Sequence, residues 1–325
     1  MDLAQFCASS RVVVVAGKGG VGKTTVTATL ATTAARAGLN VLVVEVEGKS
    51  GLTACFGVPE LGYEDTIVEP RLTVRALDAD SALVEWLDGR GLQRISHRLA
   101  RTGTLDVVAT AVPGMRDILL LAKIKQLEQA GVADLIVVDA PAAGHAISFL
   151  LAPKGLQDAV GVGVIRAQAD DVAELLADPA RCQVMLVTLP EETPVNEVVE
   201  TAYALEDRVG VALGPVVVNQ CLPDRWTGGG ADRAAAVRVD AARAGIPLSD
   251  DDLAALGAAE TFVGTRRAIQ DAQITRLAKL LPLPRVHLPY ETGEIGPAAV
   301  TDLADAFAAQ VAALRDPSTG TGVGA

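Results

Sequence analysis

Residues Gly17-Lys18-Gly19-Gly20-Val21-Gly22-Lys23-Thr24-Thr25 follow the pattern G-x-x-x-x-G-K-T. That composition suits a loop wrapped around a triphosphate. Glycines let main-chain N–H groups close on phosphate oxygens without Cβ clashes. Lys23 can then reach the β- and γ-phosphates and Thr24 can ligate Mg²⁺, while Gly19, Gly20, Val21, Gly22 and Thr25 complete the cradle at a helix N-terminus. The apolar run Val12–Ala16 precedes the loop and an Ala/Thr-rich helical stretch follows it. Such a strand–loop–helix setting is what a working phosphate loop requires. The segment predicts nucleoside triphosphate binding.

Carboxylates recur where such a loop needs them. Glu45 and Glu47 stand at alternate positions at the end of an apolar run, so a strand there projects both to one face. Acids at a strand end beside a phosphate loop can orient water or the Mg²⁺ shell. Asp139 ends a second apolar run, Leu135–Asp139, where its carboxylate can hold Mg²⁺ through water. The residues after it, Ala140-Pro141-Ala142-Ala143-Gly144-His145, read as a switch loop in which the Gly144 N–H can sense the γ-phosphate. His145 reads as a loop or interface residue.

The elements that must position these groups follow from patterning. The 325 residues are 50% hydrophobic but only 3% aromatic, and Val/Ile/Leu runs alternate with helical stretches. This predicts an α/β fold with a mostly parallel central sheet buried on both faces by helices. Candidate strands are 12–16, 41–46, 72–76, 135–139, 160–165, 184–188, 211–219 and 285–288. Stretches near 81–133 and 222–281 carry mixed charge at helical spacing and read as helical insertions forming a subdomain beside the sheet. One large domain over 1–315 and a disordered tail over 316–325 complete the expected organisation.

Composition also excludes. A net charge of −12 argues against a general nucleic-acid binder. No apolar run reaches the ~18–20 residues of a membrane span, and no signal peptide is visible, so the cytoplasm is the expected compartment. Cys7, Cys55, Cys182 and Cys221 are too scattered for a C-x-x-C zinc site or a disulfide framework.

The early lysine, Lys18, turns the loop into K-G-G-V-G-K-T-T, which resembles the deviant Walker A of the MinD/ParA/ArsA class. More specifically, the chain resembles the ArsA family of ATPases, which includes the arsenite-pump ATPase and the targeting ATPase for tail-anchored membrane proteins. The resemblance runs from about residue 11 to the last helix. It includes Leu52–Gly57, Pro113-Gly114-Met115-Arg116-Asp117, Val216-Val217-Val218-Asn219-Gln220, and Pro289-Tyr290-Glu291-Thr292-Gly293-Glu294-Ile295-Gly296. It implies a P-loop NTPase fold, ATP and Mg²⁺ as cofactors, and a dimer in which Lys18 reaches the partner's nucleotide. It also implies that Asn219 reads the adenine edge, an amide offering donor and acceptor side by side. Pro289 then opens the loop that covers the base.

Departures from the family accompany the matches. Its switch I is typically D-P-A-H, with the Asp positioning the attacking water, whereas this chain has Glu47-Gly48-Lys49-Ser50. Switch II, D-T-A-P-T-G-H in the family, is Asp139-Ala-Pro-Ala-Ala-Gly-His145 here and lacks both threonine hydroxyls. The clustered cysteines of arsenite handling are absent, and three methionines are few for a groove that accepts apolar helices. The expected activity is that of a Mg²⁺-dependent ATP-hydrolysing dimeric switch with Lys18, Lys23 and Glu47 as catalytic groups. The alternatives are a low-turnover subunit paired with a paralogue and a ParA/MinD-type positioning ATPase.

Overall fold

The computed structural model describes residues 2–46, 51–91, 93–94, 114–223 and 231–314. Within these, a sheet of nine strands runs in the order β3-β4-β2-β5-β1-β6-β8-β9, with β7 on β6. The strands are β1 (Val12–Gly17), β2 (Val41–Val46), β3 (Thr66–Glu69), β4 (Leu72–Leu77), β5 (Leu135–Ala142), β6 (Cys182–Thr188), β7 (Ala212–Leu213), β8 (Val216–Cys221) and β9 (Arg285–Pro289). All pair in parallel except β3 with β4.

Alternation along these strands divides the core into two layers. Val13 and Val15 of β1, with Val41 and Val43 of β2, face one side. There they meet α1 (Leu3–Cys7), α2 (Lys23–Arg36), α3 (Gly51–Phe56) and α11 (Pro297–Ala313). Val12, Val14, Leu42 and Val44 face the other side. That layer is closed by α5 (Met115–Ala130), α6 (Ala143–Ala159), α7 (Val164–Ala177) and α8 (Glu192–Ala204), with α4 (Ala79–Asp88) packed on α5. Two further helices, α9 (Ala231–Arg243) and α10 (Asp250–Leu280), fall in the 222–281 stretch. Of α10's 31 residues only Gln270 and Leu277 are buried, so most of this helix stands away from the core.

Two strand expectations need correction, and one strand had none. Residues 160–165 are not a strand: Gly163 takes φ +114° as the N-cap of α7, and Val162 and Val164 are exposed. The helical spacing of buried Ala169, Val172, Leu175 and Leu176 recruits the segment instead. The run 211–219 divides at Gly214-Pro215 into β7 and β8, since proline cannot donate to a ladder. Strand β3 was not anticipated; it is a half-exposed edge strand with little apolar signal. The expected tail at 316–325 lies outside the described residues.

Candidate nucleotide site

The phosphate-loop residues leave the end of β1 and enter α2, as their spacing requires. Val21, 1% exposed, anchors the loop in the core, while Gly19 and Gly20 are exposed. Gly22 caps α2 at φ +88°, a conformation that disfavours a side chain. A Cβ there would also lie 2.2 Å from Asn219 Nδ2. Lys23 Nζ donates to Lys18 O at 3.1 Å, joining the two ends of the loop. Thr25 lies in the first turn of α2, its carbonyl accepting from Thr29 Oγ1 at 2.8 Å.

Strand order brings the remaining groups together. Because β5 lies between β1 and β2, Asp139 is registered opposite Val15 on one side and Glu45 on the other. Thr24 Oγ1 donates to Asp139 Oδ2 at 2.7 Å, and Thr27 Oγ1 to Oδ1 at 3.3 Å. Asp139 is 8% exposed, and burial raises its pKa against the opposing pull of Thr24, Lys23 and Thr27. Glu45 is 3% exposed and also titrates above its ordinary value, first through burial and then through the charge of Asp139. Its Oε1 is buried without a hydrogen-bond partner.

These donors fit Mg²⁺. The cation takes oxygen ligands, keeps several waters, and binds through one or two carboxylates plus substrate phosphates. Thr24 Oγ1, the Asp139 carboxylate and the orphaned Glu45 oxygen supply hard oxygens beside a loop built for phosphate. Among the described residues no group of three or more His, Cys, Asp or Glu forms a protein-only metal cage. A Mg²⁺ ion held there would take its remaining ligands from nucleotide and water.

At the opposite end of the loop, Asn219 is 4% exposed and donates from Nδ2 to Val21 O at 2.9 Å. Its Oδ1 accepts the Gln220 N–H at 2.9 Å. One hydrogen of the amide and one lone pair remain for a ligand edge. Pro289 ends β9 opposite Cys221, and Tyr290 N–H donates to Cys221 O at 2.9 Å, so the late loop starts two residues from Asn219. A cavity of about 320 Å³ opens there, bounded by Gln220, Leu222, Phe262, Gln270 and Tyr290 among others.

Other expected residues fall differently. Glu47 lies outside the described residues. Gly144 is not in a loop: β5 runs to Ala142 and α6 begins at Ala143, which puts Gly144, exposed, in the first helical turn. Its N–H is one of the amides that helix geometry leaves without an intrahelical acceptor. His145 is exposed on the same turn. Lys18 Nζ pairs with Glu197 Oε1 of α8 at 2.5 Å, a partner that sequence reading missed because Glu197 is one acid among several on an amphipathic helix. Gln270, which grips the end of β8, carried no local signal either.

The profile of anion-transporting ATPases matches residues 10–168, which contain the loop, Glu45 and Asp139. The ATPase BagA of Mycobacterium tuberculosis is 33% identical over 92% of this chain and 93% of its own length. The ATPase get3 of Schizosaccharomyces japonicus is 27% identical over 45% of each chain. Among the described residues no helix is long and apolar enough to cross a membrane. With likeness to BagA over nearly the whole length, and the phosphate loop set between Asp139 and Asn219, the chain belongs to the ArsA family of anion-transporting ATPases.

Proposed function

We propose that this chain is a Mg²⁺-dependent ATPase acting as a nucleotide-gated dimer that couples ATP state to a partner or cargo. The observation that carries the reading is the 2.7 Å contact between Thr24 Oγ1 and Asp139 Oδ2, residues 115 apart in sequence. Both are oxygen donors of the kind a Mg²⁺–triphosphate complex needs, and they meet at the mouth of the phosphate loop.

In this reading the loop amides and Lys23 bind the phosphates and neutralise charge as the terminal phosphoryl group departs. Thr24 and Asp139 hold the metal and its water shell, with Glu45 as a nearby supporting carboxylate. Bound Mg²⁺ supplies charge neutralisation and orientation of the phosphate oxygens. Glu47 orients the attacking water, Asn219 reads the adenine edge, and Pro289 begins the segment over the base. Gly144 responds to the terminal phosphate. Lys18 acts in the partner subunit's site, which requires exchanging its own-chain bond to Glu197. The exposed length of α10 is available to a partner whose affinity then follows nucleotide state.

Steady-state Mg²⁺-ATP turnover measured across protein concentrations tests this, with Lys18→Ala alongside. Turnover per chain that rises with concentration and disappears in the variant supports a self-sufficient dimer. Tight ATP binding with negligible turnover at every concentration overturns it. That outcome favours the second reading, a low-turnover subunit paired with a paralogue, which the Glu47 departure motivates.

A further inference from the structure

One turn of α10 grips the backbone just beyond Asn219. Gln270 Oε1 accepts the Leu222 N–H at 2.9 Å, and its Nε2 donates to Gln220 O at 3.1 Å. Arg267, one turn earlier, donates to Leu222 O. Gln270 is 7% exposed, a buried amide with both ends engaged on a helix that is otherwise almost entirely outside the core.

The gripped segment is held in an unusual conformation. Gln220 has φ +59°, in the left-handed region that costs a side-chain-bearing residue about 1–2 kcal/mol. Two side chains stabilise it: Asn219 Oδ1 accepts its N–H, and Gln270 Nε2 donates to its carbonyl. That turn keeps Asn219 aimed at the phosphate loop, where Nδ2 meets Val21 O. A continuous hydrogen-bonded path therefore runs from α10 through Gln220 and Asn219 to the loop. The 320 Å³ cavity is lined by Gln220, the residue after Asn219, and by Gln270 itself.

We infer that Gln270 is a positioning residue for base recognition: by holding Gln220 in its left-handed turn, it sets the orientation in which Asn219 meets a purine edge. The inference rests on the reading of Asn219 as the base-recognising residue. A brace serving stability alone has no reason to favour one base. A residue that aims Asn219 does.

The test uses the full chain and titration calorimetry with three probes: a non-hydrolysable adenosine triphosphate, its guanosine counterpart, and inorganic tripolyphosphate, each with Mg²⁺. The variants are Gln270→Leu, Gln270→Glu and Asn219→Ala. Gln270→Leu is expected to weaken the adenosine probe about tenfold, as loss of two hydrogen bonds at a recognition site allows, and to shrink the adenine-over-guanine preference. Tripolyphosphate affinity should stay within about twofold. Gln270→Glu keeps the acceptor for Leu222 but sets an oxygen against the Gln220 carbonyl, so the adenine preference should shrink at least as far; it also decides the matter if the leucine variant does not fold. An unchanged base preference in the Gln270 variants, with the preference lost in Asn219→Ala, overturns the positioning role and leaves the Asn219 reading intact. Equal losses for nucleotide and tripolyphosphate overturn it as well, by showing general damage to the site. Unchanged preference in Asn219→Ala overturns the base reading and the Gln270 role with it.

Discussion

Lys18 Nζ lies 2.5 Å from Glu197 Oε1, tying the first lysine of the phosphate loop to α8, while Glu197 Oε2 is buried without a hydrogen-bond partner. A lysine so held must leave Glu197 before it can serve a second subunit. Both side chains are more than a third exposed, 43% and 34%, so the pair contributes about 1 kcal/mol at most. Glu197→Gln is expected to tighten ATP-dependent dimerisation by up to about fivefold, read by sedimentation in Mg²⁺-ATP. A weaker dimer in that variant would instead make Glu197 part of the interface.

Glycine 22 answers to two constraints at once, a φ of +88° and Asn219 Nδ2 at 2.2 Å from any Cβ. Gly20 shares the first, φ +87°, but has nothing within 4 Å. Gly22→Ala should lower ATP affinity more than tenfold and destabilise the fold. Gly20→Ala should show only the backbone cost of about 1–2 kcal/mol. Thermal melts and calorimetry on both variants check this; equal effects would refute a specific role for the Gly22–Asn219 contact.

Asp139→Asn keeps the hydrogen-bonding shape around Thr24 but removes the charge. Binding of ATP in EDTA should persist, while the Mg²⁺ concentration needed for half-maximal turnover rises about 10–100-fold, as for other groups that hold a metal's ligands. Turnover with wild-type Mg²⁺ dependence would remove Asp139 from the metal site.

Glu45 should trade stability for metal binding. Its folded-state pKa is raised, by burial and by Asp139, so the protonated acid is the form the fold prefers. The associated stability is present in full below the unfolded-chain carboxylate pKa and is lost as pH rises through the raised folded value. In EDTA, Glu45→Met should therefore exceed wild type in stability near neutral pH by about 1–3 kcal/mol, the penalty of an unsatisfied buried polar group. The difference should narrow toward acid. Chemical denaturation across pH measures it, and a parallel Mg²⁺ titration should show weaker binding by the variant.

Glu47 offers a gain-of-function test. If its extra methylene displaces the carboxylate by about 1 Å from the water-orienting position, Glu47→Asp should raise turnover, by up to about 10²-fold. Single-turnover hydrolysis separates that from product release. A slower Glu47→Asp would mean the site is built around the longer side chain.

Much of the fold was legible because its signals are local. Val12–Ala16, the glycine loop and the Ala/Thr helix are contiguous, and the apolar runs ending at Glu45 and Asp139 are strands buried on both faces. Misreadings came where local pattern and packing compete. Val160–Ile165 has strand composition, yet Gly163 at φ +114° and the buried face of the following residues made it the entry to a helix. Gly144 reads as a loop residue, but α6 begins one residue earlier.

Sequence alone determined the phosphate-binding chemistry, since a loop of that kind needs its glycines, lysine and threonine in consecutive order and nothing from elsewhere. Sequence also marked Asp139 and Glu45 as strand-end acids, but only the tertiary structure decided which distant groups lie beside the loop and what they touch. The insertion of β5 between β1 and β2 puts Asp139 against Thr24 and Glu45. The packing of α8 delivers Glu197 to Lys18, and a single turn of α10 delivers Gln270 to the backbone beyond Asn219. Those pairings depend on strand order and helix docking, set by burial summed over both faces of the sheet. No spacing along the chain encodes them.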